Sequence, residues 1–385
     1  MTTTILEGKR AGAHLFDTDG RKYIDGDSSA GIFNLGRRHP ELAEELKRAM
    51  RATDQGNFPI ISEEKALLAG ALAQFVPGAL ECSLFGVTRG EAFDAACKVV
   101  RGFTKRPGLV TVDGGWYGQT GFALSLSQRE DRHLFEPLVP GTAVVPFGDL
   151  AAADRAVGAD TAAVFLEPMQ AENGCRAVDA EYARGLAELC RARGALLVFD
   201  ETQTNFGRTG TPFYFERLGV EPDVLILGEA LGGGMFPITV TMLTQRVNGF
   251  MNDHPLIHLS TFGGSDIACC VARAALDIYR REAPWKNAAA MEPGLRSAFG
   301  SLAGDYPSLL SGTHGAGLLL ALQTPSADAA RRLAQACLRH GLLISTGRVA
   351  KDTLVVRPSL LITEDEAGEL VAALTMALRD CAAGA

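Results

Sequence analysis

Two acidic positions at the ends of short apolar runs are the groups in this chain best placed to do chemistry. The run at 195–199 (ALLVF) leads into Asp200 and Glu201. The run at 224–227 (VLIL) leads into Gly228 and Glu229, and three glycines follow at 232–234. Short aliphatic and β-branched runs of this kind read as buried parallel strands. In open α/β sheets, ligands sit at the carboxyl ends of such strands. A carboxylate held there can pair with a cationic group of a ligand, or move a proton once burial has tuned its pKa. An acid at a strand end is also a common structural feature, so the pair alone names no reaction.

Other stretches add candidates of a different kind. The run at 84–87 passes through Thr88, Arg89 and Gly90 into a helical pattern that extends to about residue 102. A small-residue turn at a helix N-terminus offers backbone N–H groups and the positive end of the helix dipole to an anion. An arginine there can add a charge-assisted contact. The strand at 110–112 is followed by Asp113, two glycines, Trp116 and Tyr117. An indole beside a glycine-rich turn is a candidate stacking surface, though core packing accounts for it equally well. The strand at 162–166 ends in Glu167, and Arg357 stands beside Pro358 after a late apolar strand.

The elements that must position these groups are legible in outline. Residues 13–27 read as a hairpin turning at 17–20, a D-G turn between apolar runs. Helical spacing covers 41–50, and His39, in the loop before Pro40, reads as structural rather than catalytic. An amphipathic helix covers 62–77, with Ser62 as its cap and Glu63 and Glu64 in its first turn. Helices follow at 178–193 and 267–283, and apolar strands at 315–323, 342–345 and 354–356. This strand–helix–strand rhythm implies a mainly parallel, helix-covered sheet in an α/β fold.

Bulk properties narrow the function classes. A chain of 385 residues holds one large domain and a smaller one. With 47% hydrophobic and 21% charged residues its composition is that of an ordinary globular protein. The net charge of −8 argues against nucleic acid as a main partner. No apolar run approaches the roughly 20 residues of a membrane span, and the N-terminus lacks the apolar core of a signal peptide. The eight cysteines are scattered without a CxxC pair, which reads as reduced thiols in a cytoplasmic protein with no metal site.

The central motifs resemble those of the class III aminotransferases, enzymes of fold type I that use pyridoxal 5'-phosphate (PLP). The resemblance runs through FDETQTNFGRTG at 199–210, Pro222-Asp223 and LGEALGGG at 227–234. It extends to DTDGRKYID at 17–25, EPMQ at 167–170 and HLSTFGG at 258–264, and so covers nearly the whole chain. It implies a large cofactor-binding domain at 51–284 built on a mainly parallel seven-stranded sheet. A smaller α/β domain would combine 1–50 with 285–385. Asp200 would face the pyridine nitrogen of the cofactor and Gln203 its ring hydroxyl. Thr88, Arg89 and Gly90 would form the phosphate cup, although only Glu91 and Ala92 keep the family's register there. Trp116 takes the place of the tyrosine that lies against the ring, and Tyr117 replaces the histidine after it. Thr261 matches a threonine that reaches the neighbouring subunit's cofactor, which implies a homodimer with its sites at the interface. Glu167 falls on the substrate side, and Arg357 lies two residues out of register with an arginine that some relatives use for a substrate carboxylate. The substrate would be a small amine, amino acid or keto compound.

At one position this chain departs from the family in a way that bears on the chemistry. The family's cofactor-binding lysine falls on Glu229, 29 positions after Asp200, as in relatives. A carboxylate cannot make the lysine's covalent bond to the cofactor, but it can accept and deliver protons. None of the eight lysines lies near this stretch in sequence. The expectation is that PLP or its amine form, pyridoxamine 5'-phosphate (PMP), is bound noncovalently, with Glu229 as acid/base. The alternatives are a pocket recruited to PLP-independent chemistry, a noncatalytic partner subunit, and an ordinary transaminase into which the glutamate was introduced by hand.

Overall fold

The computed structural model describes residues 7–57 and 60–383, and the side chain of Glu229 lies outside the described residues. The N-terminal D-G turn folds as its composition requires. Strands β1 (Glu7–Ala11), β2 (His14–Asp17) and β3 (Lys22–Asp25) form an antiparallel meander. Asp17 Oδ1 closes its turn by accepting from the N–H groups of Asp19 (3.0 Å) and Arg21 (2.9 Å).

The chain then lays down β4 (Leu80–Gly86), β5 (Gly108–Val112), β6 (Thr142–Val145) and β7 (Thr161–Leu166). A short ribbon follows, β8 (Met169–Gln170) with β9 (Arg176–Ala177), and then β10 (Leu196–Asp200), β11 (Val224–Leu227) and β12 (Thr239–Thr244). Seven of these make one sheet in the order β4-β12-β11-β10-β7-β5-β6. Within it β12 runs antiparallel to both of its neighbours, while the pairs among β11, β10, β7, β5 and β6 are parallel. Strands β7, β10 and β11 are buried along their whole length, which is why they read as unbroken apolar runs rather than alternating ones. Asp200 pairs with Ile226, and Phe199 with Leu166. That register brings Asp200, Glu167 and the 228–229 turn to one edge of the sheet.

Helices cover both faces. The helix Arg89–Thr104 packs Phe93, Ala96 and Val100 into the sheet, and its N-cap Thr88 accepts from the Glu91 N–H (3.4 Å). On the other face Asp266–Glu282 packs against Pro40–Ala52 and Glu63–Phe75. Ser62 caps the last of these through the Lys65 N–H (3.2 Å), as the spacing predicts. Cys269 joins the main core and its neighbour Cys270 packs with Ala49 and Ile267, each on its own helix face.

The remaining strands are β13 (Gly312–Ala316), β14 (Leu319–Gln323), β15 (Leu342–Leu343), β16 (Ser345–Thr346) and β17 (Thr353–Val356). Two sequence expectations change here. The run at 315–323, read as one strand, is the β13–β14 hairpin, which turns at Gly317 with φ +58. A Cβ on Gly317 would lie 2.5 Å from the backbone of Thr209, so glycine serves both the turn and the close approach. The run at 342–345 also divides. β15 pairs with β3, and β16 with β17. A second core joins Ala13 and Ile24 to Phe299, Leu320, Leu354 and Leu374, apart from the core around the large sheet, which includes Leu42. Among the described residues no helix is long and apolar enough to cross a membrane.

Candidate active site

The carboxyl edge of the large sheet borders a cavity of about 520 Å³, within the range of small-molecule sites. Its wall brings together Thr88, Arg89, Gly90, Trp116, Gln203 and Arg357 from the sequence-derived set. It also includes Asp27, Glu172, Ser345 and Arg348, which sequence reasoning did not single out.

Asp200 ends β10 and is 3% exposed. Its Oδ1 accepts from the backbone N–H (2.9 Å) and the hydroxyl (2.7 Å) of Thr202. Its Oδ2 accepts from Nε (3.1 Å) and Nη2 (2.9 Å) of Arg89. The same Nη2 donates to Glu167 Oε1 (2.7 Å), and the Trp116 N–H donates to Glu167 Oε2 (2.7 Å). Burial pushes the Glu167 carboxyl above its ordinary range, with Arg89 pulling it back and Asp200 pushing it further up. For Arg89 burial works against the charge, but the two carboxylates outweigh it and keep the guanidinium protonated. Sequence reasoning aimed Arg89 at a phosphate; the structure turns its side chain onto these carboxylates instead.

The turn that carries Arg89 is shaped by glycine. A Cβ on Gly90 would stand 2.7 Å from Thr120 Oγ1, and one on Gly118 would stand 3.0 Å from the Gly90 Cα. Thr120 Oγ1 donates to the Gly90 carbonyl (2.9 Å) and locks the two turns together. Backbone at the head of the 16-residue helix is thereby presented at the cavity wall, where its N–H groups can meet an anion.

Trp116 lines the cavity, with the guanidinium groups of Arg348 (5.1 Å) and Arg129 (5.4 Å) over its ring. Tyr117, expected among the cofactor contacts, is a core residue and does not line the cavity. Its ring stacks on Phe93 at 4.5 Å, and its hydroxyl lies between Thr111 Oγ1 (2.8 Å) and the Phe165 carbonyl (3.4 Å). Gln203 donates to the Ala30 carbonyl (3.0 Å) and accepts from Arg357 Nη1 (3.0 Å). Arg357 is 2% exposed and held by Asp27 (2.8 Å) and Glu172 (2.8 Å), so its charge is already matched by two carboxylates. Thr261 is exposed on a run that also exposes Leu259 and Phe262, outside this cavity's lining.

Glu229 begins the short 3-10 turn Glu229–Gly232 at the end of β11. Its backbone is fixed on both sides. Gly228 presses on Thr202, where a Cβ would lie 2.9 Å from the Thr202 Cβ, and the Ala230 carbonyl accepts from the Tyr279 hydroxyl (3.1 Å). Among the described residues no lysine lines the cavity. A grouping of metal-ligand types, His39, Glu41 and Glu282, stands outside the cavity lining, and Arg281 bonds both of its carboxylates.

The aminotransferase class-III family model matches residues 2–378. The chain belongs to the class III aminotransferases. An uncharacterized aminotransferase of Archaeoglobus fulgidus is 36% identical over 362 residues, covering 94% of this chain and 85% of that protein. The ornithine aminotransferase of Toxoplasma gondii ME49 superposes with a TM-score of 0.94 at 25% identity, over 100% of this chain and 93% of that one. An amine transaminase from an uncultivated Pseudomonas species, solved in its PLP-bound form, gives a TM-score of 0.89 at 26% identity, over 98% and 95% of the two chains. The fold is therefore fold type I, and the family is one of PLP-dependent enzymes that act on small molecules.

Family membership supports PLP or PMP as the cofactor of this chain, and the residues around the cavity fit that group in most respects. Asp200 supplies a buried carboxylate, Trp116 and Gln203 stand on the wall, and the paired turns at Gly90 and Gly118 bring backbone to it. The exception is Arg89, which already holds Asp200.

Proposed function

We propose that this protein binds PLP or PMP noncovalently and acts on a small amine, amino acid or keto substrate, with Glu229 as the acid/base in place of a cofactor-binding lysine. The observation that carries this reading is a cavity with Asp200 behind its wall and no lysine among its described lining residues. When bound, the cofactor supplies an electron sink next to the reacting carbon. Asp200 places a negative charge behind the wall, Thr202 keeps that carboxylate oriented, and Gln203 joins the wall to Arg357. Glu229 follows a glycine pressed on Thr202, which holds its backbone at this edge, and a carboxylate can accept and deliver protons. We place Thr261 at a homodimer interface, a reading supported by the exposed apolar run of Leu256, Ile257, Leu259 and Phe262. Light scattering of the purified protein tests it. The free, mostly buried cysteines support a cytoplasmic location.

The main test is an absorbance spectrum and mass analysis of protein purified with added PLP, beside E229K. Wild type should retain cofactor that borohydride does not fix to the chain, and E229K should gain a borohydride-fixed cofactor mass. Failure of wild type to retain PLP or PMP at any concentration would overturn the reading. The Arg89–Asp200 pair favours a second one, in which the pocket works without PLP or serves a noncatalytic subunit. That reading predicts that loss.

A further inference from the structure

Each oxygen of Asp200 already accepts two hydrogen bonds. Oδ1 takes both donors of Thr202, and Oδ2 takes Nε and Nη2 of Arg89. A carboxylate offers about four lone-pair sites, so Asp200 is fully engaged by protein groups. The two oxygens are not equivalent, however. Thr202 is next-but-one in the chain and holds Oδ1 by local geometry. Arg89 reaches Oδ2 from 111 positions away, along a flexible stem that also lines the cavity. The releasable bond is the one to Arg89. Another of its anchors, Glu167 Oε1 at 2.7 Å, offers the guanidinium a carboxylate to keep when it leaves Asp200.

We propose that Arg89 is a resident counter-cation that competes with the cofactor ring for Oδ2 of Asp200, so that cofactor binds in exchange with the arginine side chain. This rests on the reading that the pocket takes PLP or PMP. Arg89 offers positive charge to both buried carboxylates, Asp200 and Glu167, so it and a cationic ring would serve the same need at Oδ2. Cofactor affinity is set by the cost of moving Arg89 from Oδ2 onto Glu167. Arg89 is thus a specificity-determining residue: only a ligand with a protonated ring nitrogen or similar cation replaces it without leaving Asp200 unpaired.

The experiment is a titration of PLP and of PMP, read by absorbance and tryptophan fluorescence, into wild type, R89A, D200N and R89A/D200N. R89A should lower the dissociation constant at least tenfold, and the gain should vanish in the D200N background. Because R89A strands two buried carboxylates, R89A/E167Q is titrated beside it, with circular dichroism to verify folding, and should show the same tightening. Cofactor bound by wild type with equal or weaker binding in both R89A proteins overturns the competition but leaves the proposed function standing. A gain that persists without Asp200 also overturns it. If none of the proteins binds cofactor, the proposed function falls, and this inference with it.

Discussion

Glu172 meets Arg357 at 2.8 Å, and both side chains are almost wholly removed from water. The pairing reaches beyond the two residues, because Glu172 also collects a loop. Its Oε2 accepts from the Arg348 N–H (3.1 Å), and its carbonyl accepts from Val349 and Ala350 (both 3.0 Å). Glu172 therefore anchors the loop that places Arg348 over Trp116. Breaking a buried pair by removing one partner costs about 3–5 kcal/mol. E172Q should lower the unfolding free energy by about 3 kcal/mol, discounted for the Asp27 bond that Arg357 retains. Urea denaturation measures it. In an R357M background the same change should cost far less, and an undiminished cost there would show that Glu172 acts without Arg357.

Gly90 is set against Thr120, whose Oγ1 and Cγ2 would lie 2.7 and 2.8 Å from an added Cβ. Alanine ordinarily favours a helix over glycine by about 1 kcal/mol, but overpacking costs about 1–3 kcal/mol. Thr120 cannot swing aside without giving up its bond to the Gly90 carbonyl. G90A should therefore destabilise the turn and weaken PLP or PMP binding several-fold, and T120A should restore part of both. Thermal melting and cofactor titration of the single and double variants check this. Tighter binding in G90A would refute it.

What could be read from the chain beforehand follows physical lines. Asp200 and Glu167 were legible because β10 and β7 are buried end to end, so each acid stands out at the end of an apolar run. The Ser62 cap was legible because capping is local. The direction of Arg89 was not, since the two carboxylates it bonds here lie 78 and 111 positions away and are set by helix-on-sheet packing. Asp27 and Glu172 escaped notice for the same reason, reaching Arg357 over 330 and 185 positions. Tyr117 misled because a motif position shows which residue follows Trp116, but not which way its ring points. The β13–β14 turn was hidden inside an apolar run, where a single glycine, Gly317, does the turning.

Arg208, in the segment after Asp200, is buried, and among the described residues its guanidinium bonds neutral acceptors. Nη1 donates to the carbonyls of Leu318 (3.0 Å) and Pro358, and Nη2 to Asn34 Oδ1. Burial pulls its pKa down to about 9. These three acceptors come from the N-terminal segment, the β13–β14 turn and the residue after Arg357, so Arg208 ties the large sheet to the second core. Each acceptor left unsatisfied costs about 1–3 kcal/mol. R208M should cost about 3 kcal/mol or more by that reckoning, measured by urea denaturation. R208K should rescue little, because one ammonium on a single stem does not reproduce the planar fork. Full rescue by lysine would show that charge alone matters.

Glu201 supplies the pH dependence. Its carboxylate accepts from the N–H groups of Tyr214 (2.7 Å) and Phe215 (2.7 Å) and from the Thr204 hydroxyl (2.8 Å). Burial nevertheless pushes its pKa up from 4.5 to about 7, since those bonds offset only part of the lost hydration. Between these values the folded chain holds a proton that the unfolded chain has released. Stability from this group is complete below pH 4.5 and is lost as pH rises through about 7. E201Q cannot titrate, so it removes that slope while losing hydrogen bonds at every pH. The unfolding free energy of wild type minus that of E201Q should therefore fall as pH goes from 4.5 to 7, by up to about 3 kcal/mol at 1.36 kcal/mol per pKa unit. Paired urea melts across that window measure it. A difference that stays flat or grows with pH would place the Glu201 carboxyl at or below its ordinary value, with its three hydrogen bonds outweighing its burial.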